Sequence, residues 1–240
     1  MPGIFDQTEF TVRCEWGLRG LQELAPASDV VIVIDVLSFT TAVDVAVARG
    51  AVVFPYPLKG PASEEYARER AAEMAQSFRD RGVSLSPASL ESIPAGSRIV
   101  MPSPNGSKVS FGARHPLVFA ACLRNATAVA TRTANLGRSI AVIPAGETWD
   151  TGELRPSLED WICAGAIIAA LQGTRSPEAE LAVAGFERYR DDLPTALRAC
   201  SSGKELIVRG FARDVELAAQ YDVSQCVPQL RGEYFTSSLG

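Results

Sequence analysis

Val30–Ile34 reads VVIVI, five consecutive β-branched residues closed at either end by a carboxylate, Asp29 and Asp35. A strand built from this run has no polar face to turn to water, so it must be covered on both sides. Cover on both sides means layers of helix, and the flanking sequence supplies them. Thr40–Arg49 reads as a helix stopped by Gly50, and Ala51–Phe54 (AVVF) as the next strand. Strand, helix and strand in alternation predict an α/β protein.

The rest of the chain continues the alternation. Arg98–Met101, Leu117–Ala121 and Ser139–Ile143 read as strands; Ala126–Asn135 and Ser157–Gln172 read as helices. The latter begins at Ser157, with Asp160 three residues on in capping-box-like spacing, and stops before Gly173. Glu64–Arg81 and Pro177–Arg190 are rich in charge and alanine and read as exposed amphipathic helices. Pro87, Pro94 and Gly96 mark a loop, and Asp214–Gln220 a last helix. No low-complexity linker divides the 240 residues. They suffice for a single α/β unit or two intimately packed subdomains.

Composition removes several classes of function. The formal net charge is -5 and there is no Lys/Arg run, which speaks against nucleic acid as a partner. The five cysteines are scattered and form no C-x-x-C pair, so neither a zinc ribbon nor a disulfide framework is expected. Met1–Arg13 has no basic-then-apolar leader, and Val30–Ile34, like every apolar run in the sequence, is too short for a bilayer. The expectation is a cytoplasmic protein without membrane contact. Nucleotide-binding glycine signatures are absent, and the single histidine, His115, sits in a loop-like Arg114-His115-Pro116 with no G-x-S-x-G elbow, so an imidazole mechanism is not expected.

What remains for chemistry is mainly carboxylate. Asp35 ends an apolar strand, the place where open α/β sheets bind ligands, and can hold Mg²⁺ or attack a phosphoryl group; it can equally be a turn residue. Ser103-Pro104-Asn105-Gly106-Ser107 follows a strand and offers amides and hydroxyls to an anion, although Asn-Gly is also a common turn. Glu159 and Asp160 fall in a first helical turn, where acids complement the helix dipole with or without a metal. Neighbours on a helix point about 100° apart, so one of the two is expected to face a given ion. Asp214, opening the last helix, has the same two readings.

Several of these segments, in order, resemble the 2-phosphosulfolactate phosphatase family, also called ComB. Glu15-Trp16-Gly17 looks like its early E-W-G. Ile34-Asp35-Val36-Leu37 with Thr40-Thr41 resembles its I-D-V-L-R-x-T-T segment, and Gly50-Ala51 the G-A after it. Asn105-Gly106-Ser107 resembles T-x-N-G-T, and Asn125-Ala126 a later N-A. Ala145-Gly146, Ser157-Leu158-Glu159-Asp160 and Cys163-Ala164-Gly165 resemble A-G, S-L-E-D and C-A-G. Gly210, Asp214-Val215 and Val227-Pro228 match the close of the pattern.

The resemblance implies a layered α/β/α fold with a mixed, largely parallel sheet, and Mg²⁺-dependent hydrolysis of a small phosphorylated acid, phosphosulfolactate in the family's coenzyme M pathway. Carried onto this sequence, Asp35, Glu159 or Asp160, and Asp214 would hold Mg²⁺. Ser38, Thr40, Ser103, Asn105, Gly106 and Ser107 would contact substrate, and Asn125 would orient it. Attack would come from water or from Asp35 itself. A homodimer is compatible with the resemblance.

Two departures stand out. Ser38 occupies the position of the family's Arg, and a guanidinium is well suited to bidentate recognition of phosphate or sulfonate. Of the family's G-E-R…G-F-D-x-G-N-S-P stretch, only Leu85-Ser86-Pro87 resembles the end. With Ser38 there, weak turnover of phosphosulfolactate and better turnover of another small phosphoester are expected; Arg124 and Lys108 are the candidates to substitute for the missing charge. The alternative reading is a non-catalytic or retuned ligand-binding member of the family.

Overall fold

The computed structural model describes residues 3–76 and 82–238. The strands are β1 (Val12–Cys14), β2 (Val30–Ile34), β3 (Val52–Tyr56), β4 (Glu73–Met74), β5 (Arg98–Pro102), β6 (Val118–Ala121), β7 (Ile140–Pro144), β8 (Glu147–Thr148), β9 (Leu154–Arg155), β10 (Pro228–Arg231) and β11 (Tyr234–Ser237). The helices are α1 (Gly17–Leu24), α2 (Phe39–Ala48), α3 (Pro61–Glu69), α4 (Gly106–Gly112), α5 (Ala126–Ala134), α6 (Leu158–Ala170), α7 (Pro177–Tyr189), α8 (Leu193–Ala199), α9 (Ser201–Val208) and α10 (Ala212–Ala218).

Among the described residues a nine-stranded sheet runs in the order β1-β7-β2-β6-β10-β11-β3-β5-β4. It consists of two parallel blocks. β1, β7, β2 and β6 form the first and β3, β5 and β4 the second, and the antiparallel hairpin β10–β11 joins β6 to β3. The fold is thus α/β with a mixed, mostly parallel sheet, as the sequence predicts.

Every residue of β2 is buried. Val30, Ile32 and Ile34 enter the core that α5, α6 and α7 close, while Val31 and Val33 enter the opposite core beneath α1 and α4. The period-two alternation of an all-apolar run therefore feeds two hydrophobic layers at once. α2 is buried from Phe39 through Val47 and lies against β3, β6, β10 and β11, with Phe39 edge-on to Phe235 at 6.2 Å between ring centres. Apart from Thr40, Thr41 and Asp44 the helix is apolar on every side, and α2 is the internal helix of the second block's core.

One predicted element is much shorter than expected. The helix predicted over Glu64–Arg81 stops at Glu69; Ala71 takes φ +46, and the chain re-enters the sheet as β4 on the edge of β5. Helical propensity in that charged stretch yields to edge pairing. Residues 77–81 of that prediction lie outside the described residues. The capping box at Ser157 is not formed. Ser157 is the N-cap without a side-chain cap bond, and Asp160 turns to neighbouring loops instead. No helix among the described residues is long and apolar enough to cross a membrane.

Candidate active site

Three strand ends converge. Asp35 follows β2, Ser103-Pro104-Asn105 follow β5, and Glu147 follows β7 after Ala145-Gly146. They line a cleft of about 270 Å³ together with Ser38, Leu85 and the α9 wall, formed by Ser202, Glu205, Leu206 and Arg209. The cleft spans both parallel blocks, because Asp35 and Glu147 come from the first and the Ser103 loop from the second.

Asp35 is almost fully buried, at 4% exposure. Its Oδ2 accepts from the Gly106 amide at 2.7 Å and the Ser103 hydroxyl at 3.3 Å. A Cβ on residue 106 would lie 2.6 Å from Asp35 Oδ2 and from the Phe39 ring, so glycine is required for the amide to come this close. Burial raises the Asp35 carboxyl to about 6, against the pull of its donors at Gly106, Ser103 and Phe39; the neighbouring Glu159 raises it further. Glu147 rises to about 7, first through burial and then through the charge on Asp35. It accepts from Asn105 Nδ2 at 2.7 Å, while Thr148 donates its hydroxyl to Asn105 Oδ1 at 3.1 Å, so the amide orientation is fixed.

The acid pair on α6 divides as helical geometry requires. Asp160 accepts from the Val36 amide at 2.7 Å, the Gly146 amide at 2.9 Å and the Ser157 hydroxyl at 3.2 Å. Both its oxygens bind the loops that carry Asp35 and Glu147, so it positions the site rather than facing it. Glu159, buried to 2% exposure, lies against the Cys200 thiol and adds its charge to Asp35 and Glu147.

Other predicted residues hold the scaffold. Thr40 Oγ1 donates to the Asp35 carbonyl at 2.9 Å and accepts the Asp35 amide at 3.0 Å, closing the turn into α2. Ser107 donates to the Met101 carbonyl at 2.6 Å. Asn125 is fully buried and is not in the cleft. It accepts from the Cys122 amide at 2.8 Å and donates to the Cys226 carbonyl at 3.1 Å, tying the turn before α5 to the C-terminal segment. Asp214 is likewise apart from Asp35. Its Oδ1 accepts from the Ser86 hydroxyl at 2.5 Å and the Ala88 amide at 3.3 Å, clamping the loop that brings Leu85 to the cleft.

Neither expected substitute for the family's arginine lines the cleft. Arg124 pairs with the buried Asp44 at 2.9 Å, and Lys108 lines a neighbouring cavity with Trp16 and Asn105. His115 bonds the Ser28 carbonyl through Nε2 at 2.8 Å and meets the Leu117 backbone through Nδ1, away from the cleft.

A metal can be tested against this donor set. Asp35, Glu147 and Glu159 carry hard oxygens; the charge on Glu159 raises the Asp35 carboxyl and the charges on both raise Glu147, a repulsion that a cation would relieve. In number they are sparse: among the described residues no three His, Cys, Asp or Glu side chains converge as a ready-made cage. Mg²⁺ is commonly held by one or two carboxylates with phosphate and water completing the shell, and the cleft-lining carboxylates Asp35 and Glu147 are hard donors of that kind.

Fold and cleft define an α/β protein with a buried carboxylate site at the carboxyl ends of its strands. Its sequence matches the family model for 2-phosphosulpholactate phosphatase over residues 20–233. It is 32% identical to a probable 2-phosphosulfolactate phosphatase of Gloeobacter violaceus, over 86% of this chain and 91% of that protein. A protein of the same description from Thermotoga maritima is 30% identical over 86% of this chain and 93% of its own length. The 2-phosphosulfolactate phosphatase of Methanothermobacter thermautotrophicus is 30% identical over 57% of each chain. The chain belongs to the 2-phosphosulfolactate phosphatase family.

Proposed function

We propose that this protein is a Mg²⁺-dependent phosphoric monoester hydrolase acting on a small acidic phosphoester of the 2-phosphosulfolactate type. The observation that carries the reading is Asp35, a buried strand-end carboxylate gripped by Gly106 and Ser103 and facing the same cleft as Glu147 and Asn105. Asp35 and Glu159 would hold Mg²⁺. A bound Mg²⁺ would neutralise charge building on the phosphoryl oxygens.

The chain's own groups do the remainder. Asn105, fixed between Glu147 and Thr148, orients the phosphoester, and the Ser103 hydroxyl is a further donor beside it. Glu147, whose carboxyl burial pushes up, is suited to proton transfer to the departing alkoxide oxygen or from an attacking water. Low-dielectric walls strengthen each of these interactions.

The test is Asp35→Asn assayed against phosphosulfolactate with and without Mg²⁺. The variant should fold, as judged by circular dichroism, and lose at least ~100-fold in activity at limiting Mg²⁺. Activity matching the native protein in a folded Asp35→Asn variant overturns the reading.

A further inference from the structure

The cleft has an unbalanced charge. Its floor is acidic, and a substrate bearing a second acid group besides phosphate needs positive charge at its far end to replace lost hydration. Ser38 lines the cleft but brings a neutral hydroxyl. On the opposite wall, Arg209 follows directly on α9 and lines the same cleft. Its Nη1 lies 3.0 Å from Glu205 Oε1, one turn earlier, and both side chains are more than half exposed.

An exposed pair at this spacing holds with only about 0.3–0.5 kcal/mol. A carboxylate or sulfonate entering a partly desolvated cleft offers a guanidinium a stronger, bidentate bond. A second guanidinium supports the same wall: Arg155 Nη2 donates to the hydroxyl of the buried, cleft-lining Ser202 at 3.2 Å.

We infer that Arg209 is the specificity-determining residue of this cleft, exchanging Glu205 for the second anionic group, a carboxylate or sulfonate, of a short phosphoester. The inference deepens the hydrolase reading and rests on it for the placement of the phosphate. Positive charge absent beside Asp35 at Ser38 is thereby supplied from across the cleft, by a residue more than 170 positions later in the sequence.

Calorimetric binding separates this inference from the reading on which it rests. In Mg²⁺, the native protein should prefer 3-phosphonopropionate, with two acid groups, over ethylphosphonate, with one, by about tenfold or more. Arg209→Ala should reduce that preference to about threefold or less, Arg209→Lys should restore part of it, and Arg198→Ala, on a surface pair with Glu216, should leave it intact. Unchanged thermal unfolding of each variant confirms that the fold is kept. The inference is overturned if the preference survives in Arg209→Ala, if the native protein shows none, or if neither probe binds. Preferential binding without ester hydrolysis keeps the inference and defeats the hydrolase reading; hydrolysis without preference does the reverse.

Discussion

Asp35 sits where burial opposes its charge while three donors defend it, and burial prevails. Its carboxyl and that of Glu147 hold protons up to about 6 and about 7, whereas in the unfolded chain they release them near 3.8 and 4.5. Proton binding is thus tighter in the folded state. The stability it contributes is complete below the unfolded values and is lost as pH rises through 6 and 7. Asp35→Asn removes the Asp35 share of that loss. In chelator at pH 8 the variant should melt about 5 °C or more above the native protein, with the gain vanishing near pH 4. A melting point at pH 8 equal to or below the native one contradicts this account.

Asp35, Ser103, Asn105 and Gly106 are legible in the sequence because each falls where an apolar strand gives way to the helix that follows, the place where open α/β sheets bind ligands. Glu147 follows its strand by the same logic, but two residues of loop, Ala145-Gly146, separate it from the strand, so nothing in the sequence marks it as a strand-end acid. Asn125 and Asp214 match that pattern equally well yet bind loops, since spacing along a chain does not say which way an amide or carboxylate faces.

Among the elements, α6 does two jobs. Its first turn carries Glu159 and Asp160 to the site, and its middle packs on α7 at Gly165. A Cβ there would lie 2.0 Å from the Ala182 carbonyl oxygen and 2.8 Å from Phe186 Cβ. In an exposed helix Gly to Ala stabilises by about 1 kcal/mol. Here overpacking reverses the sign, and Gly165→Ala should cost about 1–3 kcal/mol in urea unfolding. A stabilised variant would mean that α7 can retreat without loss.

β2, α2, β7 and α6 were readable because their apolar runs are long and bounded by clear stops. α8 and α9 were not: at seven and eight residues, joined at Cys200, they show too little periodicity to separate from loop, and Arg209 was hidden with them. β10 and β11 are only partly buried, so no apolar run announces them.

At the scale of the whole molecule, long-range polar ties hold the blocks and the C-terminal segment together. Asp44, at the centre of α2 and fully buried, pairs with Arg124 at 2.9 Å and accepts from Ser224 at 2.7 Å. Asp44→Ala takes the paired carboxylate from a mostly buried guanidinium and leaves it the neutral acceptors Gln220 Oε1 and the Leu217 carbonyl; this should cost about 3 kcal/mol, read from the denaturant midpoint. A loss below about 1 kcal/mol would show that these neutral acceptors satisfy Arg124 without Asp44. His115, which bonds the backbone of Ser28 and Leu117 away from the cleft, should tolerate replacement by Ala without the large loss in turnover that removing a proton-transfer group brings.

The hairpin β10–β11 supplies the only pairing between the two parallel blocks among the described residues, and it comes last in the chain. A ribosome delivers every other strand before it. Until residues 228–237 emerge, β6 and β3 each present an unpaired edge, the kind of template on which strands from other molecules collect. A message cut short before this hairpin would therefore yield an aggregation seed in place of a weakened protein, because the cleft that needs Asp35 from one block and Gly106 from the other would lack the strands that join them.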